Sequence, residues 1–258
     1  MAKKSKASAP TDRKAKIQAA QKQQGAGANK IVVATVVVVV AIIAVVAGVI
    51  WVEQSRQDEA TGGGNALPPG VSALGEGFPA FQDVTANSGA PTVDVYEDFQ
   101  CPACASFEAA LGSTLQDLAQ SGRITLVYHV KNFLDDNLRN DSSTRAGNAA
   151  FCASDDGKFE PYHNQLYAQQ PANEGDGFSD ETLTSIATSV GISGDALSTW
   201  ETCLTAGRYD DYVNSVEEAS FADGVRGTPT VRINGEDIEL AAIQTPELLI
   251  QAIEVATE

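Results

Sequence analysis

An uncharged run of 22 residues, from 31 to 52, divides the chain into a short tail and a long remainder. At about 1.5 Å per residue, a helix of this length crosses a hydrocarbon layer about 30 Å thick. The core of a secretory signal peptide has only about 7–15 apolar residues before a small-x-small cleavage site, and no clear cleavage tripeptide follows this run. We therefore predict a retained transmembrane helix rather than a cleaved signal peptide.

Charge on the two sides of this run predicts its orientation. Residues 1–30 carry eight basic residues and one acid, a net charge of +7, and read as a disordered basic tail that stays in the cytoplasm. The part after the run carries 9 basic and 33 acidic residues, a net charge of −24. Such acidity disfavours nucleic acid or anionic lipid as a partner of that part. The sequence thus predicts a single-pass protein of the cell membrane whose C-terminal domain is extracytoplasmic.

Residues 53–75, which contain TGGGNALPPG, are typical of a flexible linker, so the folded domain is expected to span 76–258. The predicted elements are a strand over 92–99, a helix from Pro102 to Gly122, a strand over 124–130, a helical block over about 141–224, two strands around Asn234–Gly235 and a helix capped by Thr245. This alternation predicts an α/β domain with a helical insertion.

Four cysteines lie beyond the predicted membrane helix, where disulfides persist: Cys101, Cys104, Cys152 and Cys203. Four cysteines permit three pairings. The first two form a CxxC pair, FQCPACASF, between a strand and a helix. A zinc site would need a second pair of ligands, but the two histidines, His129 and His163, stand alone. A purely structural bridge is the second alternative, and redox exchange, which suits a CxxC at a strand-to-helix junction, is favoured over both.

The position of the CxxC pair predicts different roles for its two thiols. Unpaired backbone N–H groups and the helix dipole stabilise an anion at a helix N-terminus, so Cys101 is the expected nucleophile. Cys104, one turn inside, is expected to resolve the mixed disulfide. Pro102 fixes the backbone between them, and Ala103 adds neither charge nor hydrogen bond.

The segments EDFQCPAC and GVRGTPTVRINGE, separated by a long helical block, resemble the DsbA-like thiol-disulfide oxidoreductases. The resemblance covers about residues 80–258 and is closest to membrane-anchored Gram-positive, actinobacterial versions. It implies a thioredoxin fold with a helical insertion. It also implies a cis bond before Pro229, with the Thr228 backbone free to pair with an extended substrate beside Cys101.

The sequence departs from the family pattern at two positions. Relatives often carry histidine where this chain has Ala103, so we expect a less acidic Cys101 and a milder oxidant than a CPHC enzyme. Many thioredoxin-fold enzymes have a buried acid where this chain has Val95. Glu97 or Asp98 is expected to handle the proton instead, and Glu97 is preferred because strand alternation puts it on the face of Val95. The alternative is a solvated acid at the strand end.

Cys152 and Cys203 lie on helical segments of the insertion and are interpreted as a structural disulfide, as similar insertions in the family often carry. Their bridge would close a loop of about 50 residues, worth ~4 kcal/mol in the chain-entropy model. Two separate buried thiols are the alternative. His129 and His163 are interpreted as packing or surface residues.

These observations predict a protein-disulfide oxidoreductase that donates its CPAC disulfide to exported proteins with free cysteines, without cofactor or metal. The dithiol must then be reoxidised, which implies a DsbB-like or VKOR-like membrane partner. A reductase or isomerase of the same fold, and a non-catalytic membrane-anchored binding module, are the alternatives.

Overall fold

The computed structural model describes residues 65–256. The predicted cytoplasmic tail, the predicted transmembrane helix and most of the predicted linker lie outside the described residues. Within 65–256, no helix combines the length and the apolar character that crossing a bilayer requires.

Residues 65–75, the end of the predicted linker, lie against the folded domain. The side chains of Ala66 and Leu67 pack against the hydrophobic core. The backbone N–H of Gly75 donates to Ser215 Oγ at 2.9 Å. Chain packed on the core therefore begins before residue 76, the predicted start of the domain. The composition of this segment is typical of a linker and does not show that its few apolar side chains contact the core.

Five strands form one mixed sheet in the order β1-β3-β2-β4-β5. They are β1 (Phe78–Pro79), β2 (Thr92–Glu97), β3 (Thr125–Val130), β4 (Thr230–Ile233) and β5 (Glu236–Ile238). The central strand β2 is parallel to β3 and antiparallel to β4, and both edge strands pair antiparallel. Val95, Tyr96 and Glu97 at the end of β2 are all buried. Since successive side chains of a strand point to opposite faces, both faces of the sheet are covered there.

The helices of the described residues surround this sheet. They are α1 (Pro102–Phe107), α2 (Ser113–Gln120), α3 (Phe133–Leu138), α4 (Ser142–Ser154), α5 (Phe159–Ala168), α6 (Asp180–Ser189), α7 (Asp195–Ala206), α8 (Asp210–Ala222) and α9 (Pro246–Val255). A π-helical turn, Glu108–Gly112, joins α1 to α2, and helices α2 and α8 contact β3. The predicted helical block corresponds to α4–α8. The edge strand β1 and helix α3 were not predicted, because two and six residues are too few for a clear apolar period.

Two local predictions near the C-terminus are confirmed. Asn234 and Gly235, between β4 and β5, have φ values of 52° and 83°, as a two-residue hairpin turn with two positive φ angles requires. The Thr245 hydroxyl accepts a hydrogen bond from the backbone N–H of Leu248 at 3.4 Å and so caps α9.

The helical insertion is held by a disulfide between Cys152 on α4 and Cys203 on α7, which are 51 residues apart. Trp200, also on α7, is 1% exposed, and its indole N–H donates to the Ala149 carbonyl at 3.0 Å. Closing a loop of this length removes conformational entropy from the unfolded chain, worth about 4 kcal/mol in the chain-entropy model.

Candidate active site

Cys101 lies where the chain passes from β2 into α1. It is the N-cap residue of α1, with φ −78° and ψ 116°, and Pro102 occupies the first turn. No side chain caps this helix end, so the unpaired backbone N–H groups of the first turn can stabilise negative charge on the Cys101 sulfur. The local sequence thus produces an anion-stabilising position for one sulfur.

The two thiols of the CPAC pair are free and differ in their surroundings. Cys101 is 7% exposed and Cys104 is fully buried. The pKa of Cys101 is lowered to about 6, chiefly by the hydrogen bond from the Cys104 thiol. Burial opposes this effect, and Thr228 and the first backbone amides of α1 assist it. Burial, and then the neighbouring Cys101, raise the pKa of Cys104. Near neutral pH the outer sulfur is therefore a thiolate and the inner one a thiol.

The loop before β4 lies beside Cys101. The Thr228–Pro229 peptide bond is cis, and Cys101 Sγ lies 3.5 Å from the Thr228 carbonyl oxygen. Pro102 and Ala103 are exposed, and Thr228 and Pro229 are half-buried. The structure therefore brings the predicted substrate-binding residues to the rim around the reactive sulfur.

Alkylation of Cys101 is expected to follow the ionisation of its thiol, because the thiolate is the nucleophile. Its rate should rise with pH, reach half its maximum near pH 6 and then level off, while Cys104 stays unreactive. Iodoacetamide kinetics on the reduced protein, resolved by cysteine with mass spectrometry, measure both. Ala103→His should lower the midpoint, since a cationic ring stabilises the thiolate. An unchanged midpoint in that variant would contradict the role given to Ala103.

The loop from Asp98 to Cys101 is held by the helical insertion. The Asp98 carboxylate accepts hydrogen bonds from Ser143 Oγ at 2.5 Å and from the backbone N–H of Gln100 at 2.9 Å. Burial outweighs these bonds and raises the pKa of Asp98 to about 7. The Gln170 amide donates to the carbonyls of Phe99 and Cys101 at 2.7 and 3.1 Å. These contacts fix the backbone on which Cys101 sits.

Glu97 is fully buried at the end of β2, with its Oε1 2.6 Å from His163 Nε2 on α5. His163 is fully buried as well. Burial lowers the pKa of His163, but the charge and hydrogen bond of Glu97, together with the charge of Glu108, outweigh it and raise this pKa to about 9. Glu97 and His163 therefore form a buried ion pair near neutral pH, and the alternative of a solvated acid is wrong for Glu97.

A second acid, the half-buried Glu108, lies beside this pair. Glu108 is the first residue of the π-helical turn after α1. Burial raises the pKa of Glu108 to about 8; the charge of His163 opposes this shift and the charge of Glu97 adds to it. A side chain at Gly112 would collide with the Glu108 carboxylate, so glycine permits this conformation. A pocket of about 280 Å³ opens beside Glu108, between α1–α2 and α5.

Among the described residues, Glu97, Glu108 and His163 form a group with metal-ligand chemistry, each offering one ligand atom within 4.8 Å of the others. Carboxylate and imidazole donors suit zinc and related ions. Here, however, the His163 ring is already bonded to Glu97. A cation would have to displace that hydrogen bond.

Sequence reasoning did not identify His163 as the partner of Glu97. The two residues are 66 positions apart and meet only through packing of α5 against the end of β2. For Glu108 the sequence does contain a signal, which was not used: Glu108 follows Cys104 by four residues, so the two lie on the same face of a helix. His129 Nε2 lies 2.9 Å from Asp94 Oδ1, and both side chains are partly exposed.

Comparisons with known proteins agree with this geometry. A family model described as thioredoxin matches residues 85–254. The structure is similar to that of reduced DsbA from Mycobacterium tuberculosis, with a TM-score of 0.58 and 28% identity, over 70% of this chain and 92% of that one. It is also similar to MdbA, a thiol-disulfide oxidoreductase from Actinomyces oris, with a TM-score of 0.57 and 28% identity, over 70% and 86% of the two chains.

A curated relative is the serine/threonine-protein kinase PknE of Mycobacterium tuberculosis, 27% identical over 153 residues. The match covers 56% of this chain and 27% of the kinase. The chain thus spans about a quarter of the length of the curated relatives it matches.

Proposed function

The chain belongs to the thioredoxin family and is a DsbA-like protein-disulfide oxidoreductase, and from this premise we propose that it works as an oxidase that donates the Cys101–Cys104 disulfide to exported proteins. The observation that carries the proposal is the contrast between the two thiols. A low pKa at the outer sulfur stabilises the reduced enzyme, because Cys101 then remains as a thiolate. A dithiol with a stabilised reduced form is a strong oxidant.

Each turnover moves two electrons from substrate to enzyme. A substrate thiolate attacks Cys101 Sγ of the oxidised enzyme, the Cys101–Cys104 bond breaks, and Cys104 leaves and takes up a proton. A second substrate thiolate attacks the substrate sulfur of this mixed disulfide. The substrate disulfide forms, and Cys101 departs as a thiolate, which its low pKa favours.

The rim residues supply substrate binding in this proposal. The Thr228 carbonyl lies 3.5 Å from Cys101 Sγ, so a backbone paired with Thr228 would hold its cysteine at the reacting sulfur. Pro229 shapes this loop, and Pro102 and Ala103 are exposed next to Cys101 in the chain, where a substrate can contact them.

Glu97 is proposed to handle the proton of Cys104. Burial, and then the charges of Glu97 and Cys104, raise the pKa of Tyr167, which supports a position of that ring close to both groups. When Cys104 becomes a nucleophile during reoxidation of the enzyme, a buried carboxylate nearby can accept the proton of its thiol.

The topology of the whole chain is part of the same proposal. A basic tail over 1–30, a membrane helix over 31–52 and a linker after it would leave the catalytic domain outside the cytoplasm. The Cys152–Cys203 disulfide supports an oxidising compartment. The reduced enzyme would be recharged by a DsbB-like or VKOR-like membrane protein.

A redox titration tests the direction of the reaction. We expect a reduction potential well above the ~−270 mV of thioredoxin, toward but below the ~−120 mV of DsbA. The reduced form should also resist urea better than the oxidised form. Equilibration of the full chain with glutathione buffers, read by alkylation of Cys101, gives the potential. A thioredoxin-like value would indicate a reductase, and no exchange with glutathione would indicate a binding module.

A further inference from the structure

Arg226 and Phe221 lie beside the loop that carries Thr228. The Arg226 guanidinium sits 3.9 Å from the centre of the Phe221 ring, and one of its N–H groups donates to the Phe221 carbonyl. Arg226 is exposed, and Phe221 is 56% exposed. Two residues span at most about 7 Å, so the Arg226 backbone lies near that of Thr228, whose carbonyl oxygen is 3.5 Å from Cys101 Sγ.

This guanidinium carries an unneutralised charge. Between residues 65 and 256, no carboxylate forms an ion pair with Arg226. The neighbouring Arg232, in contrast, is bound by Asp223 and Asp237. A guanidinium has five N–H donors, and a single hydrogen bond to Phe221 leaves several for another molecule.

The surroundings make this cation distinctive. The part of the chain after residue 52 has a net charge of −24, so an exposed cation without a carboxylate partner among residues 65–256, two residues before Thr228, contrasts in sign with the domain as a whole. Stacking on an aromatic ring holds the guanidinium without neutralising it. Its planar fork matches a carboxylate, with which it can form two parallel hydrogen bonds.

A helix-capping role alone does not account for this arrangement. The bond from Arg226 to the Phe221 carbonyl ends α8, but it requires neither an exposed ring nor a free charge. We propose that Phe221 and Arg226 form a substrate subsite that favours exported segments with an aspartate or glutamate beside the reacting cysteine. This inference rests on the proposed function. An extended segment on Thr228 would bring such a side chain to the guanidinium.

The test compares rates of oxidation of three dithiol peptides that differ only by glutamate, glutamine or lysine beside the cysteines. The full chain in detergent is used in its oxidised form, as wild type, Arg226→Gln and Arg226→Glu. Ratios between peptides are compared across enzymes, because the intrinsic reactivity of each peptide thiol then cancels. Arg123→Glu is the matched control. Its side chain is exposed and follows the far end of α2, about 30 Å from Cys101 at ~1.5 Å per helical residue.

We expect the wild type to prefer the glutamate peptide over the lysine peptide about three- to tenfold at low ionic strength. Arg226→Gln should remove the preference, Arg226→Glu should invert it, and Arg123→Glu should keep it. High salt should reduce the wild-type preference, since exposed charges are screened. Equal peptide ratios in wild type and Arg226→Glu would overturn the subsite while leaving the oxidase intact. No oxidation of any peptide by the wild type would overturn both proposals.

Discussion

Replacing Cys101 with serine is expected to reduce disulfide exchange at least ~10³-fold, as loss of a nucleophile does in other covalent catalysts. Serine cannot form the mixed disulfide, and Cys104 is fully buried with a raised pKa, so it cannot take over. Cys104→Ser should behave differently. Its Cys101 still attacks an activated disulfide, but no resolving thiol releases the product, so a mixed disulfide with substrate accumulates.

Both outcomes are measurable in one experiment on the full chain in detergent. Reduced wild type, Cys101→Ser and Cys104→Ser are mixed with a disulfide-linked peptide, quenched with acid and analysed by mass spectrometry. Ser106→Ala is a matched control on the same helix, because within residues 65–256 its exposed hydroxyl bonds only to the Pro102 carbonyl. Exchange that persists in Cys101→Ser, or a Cys104→Ser protein that forms no adduct, would remove the assigned roles.

The positions of Cys101 and Cys104 were predictable because they depend on short-range sequence. A β-rich run, two cysteines three apart and a proline between them are sufficient to put one sulfur at a helix start. Alternation along β2 likewise places Glu97 on the buried face of Val95, and both are fully buried. The positions of Thr228 and Pro229 beside the sulfur came from the family resemblance, since the antiparallel pairing of β4 with β2 has no local signature.

Contacts between distant elements were not predictable in the same way. Asp98 bonds to Ser143, 45 residues later, and Glu97 to His163, 66 residues later. Each contact depends on where an insertion helix docks on the sheet. A single sequence shows that a helix is amphipathic but does not show which buried polar group it will meet. The polar partners of the site therefore emerge only with the tertiary structure.

Replacing His163 with leucine is expected to lower the free energy of unfolding by about 3–5 kcal/mol, because removal of one partner leaves a buried charge uncompensated. Glu97 would then keep a carboxylate in a fully buried position without its 2.6 Å hydrogen bond. The double variant Glu97→Leu/His163→Leu should recover part of the loss, since an apolar pair leaves no unpaired charge. His129→Leu is the matched control, because its pair with Asp94 is partly exposed and should be worth less.

The loss caused by His163→Leu should also depend on pH, and this dependence separates an ion pair from simple packing. The folded-state pKa of His163 is raised to about 9 from an ordinary 6.5. Its stabilising effect is therefore complete below about pH 6.5 and is lost as pH rises through about 9. Urea unfolding, followed by the fluorescence of buried Trp200, gives the free energy of unfolding of each protein. The difference in this free energy between wild type and His163→Leu should decrease between about pH 6.5 and 9. If this difference stays constant from pH 6 to 9, His163 stabilises the fold through packing and not through its charge.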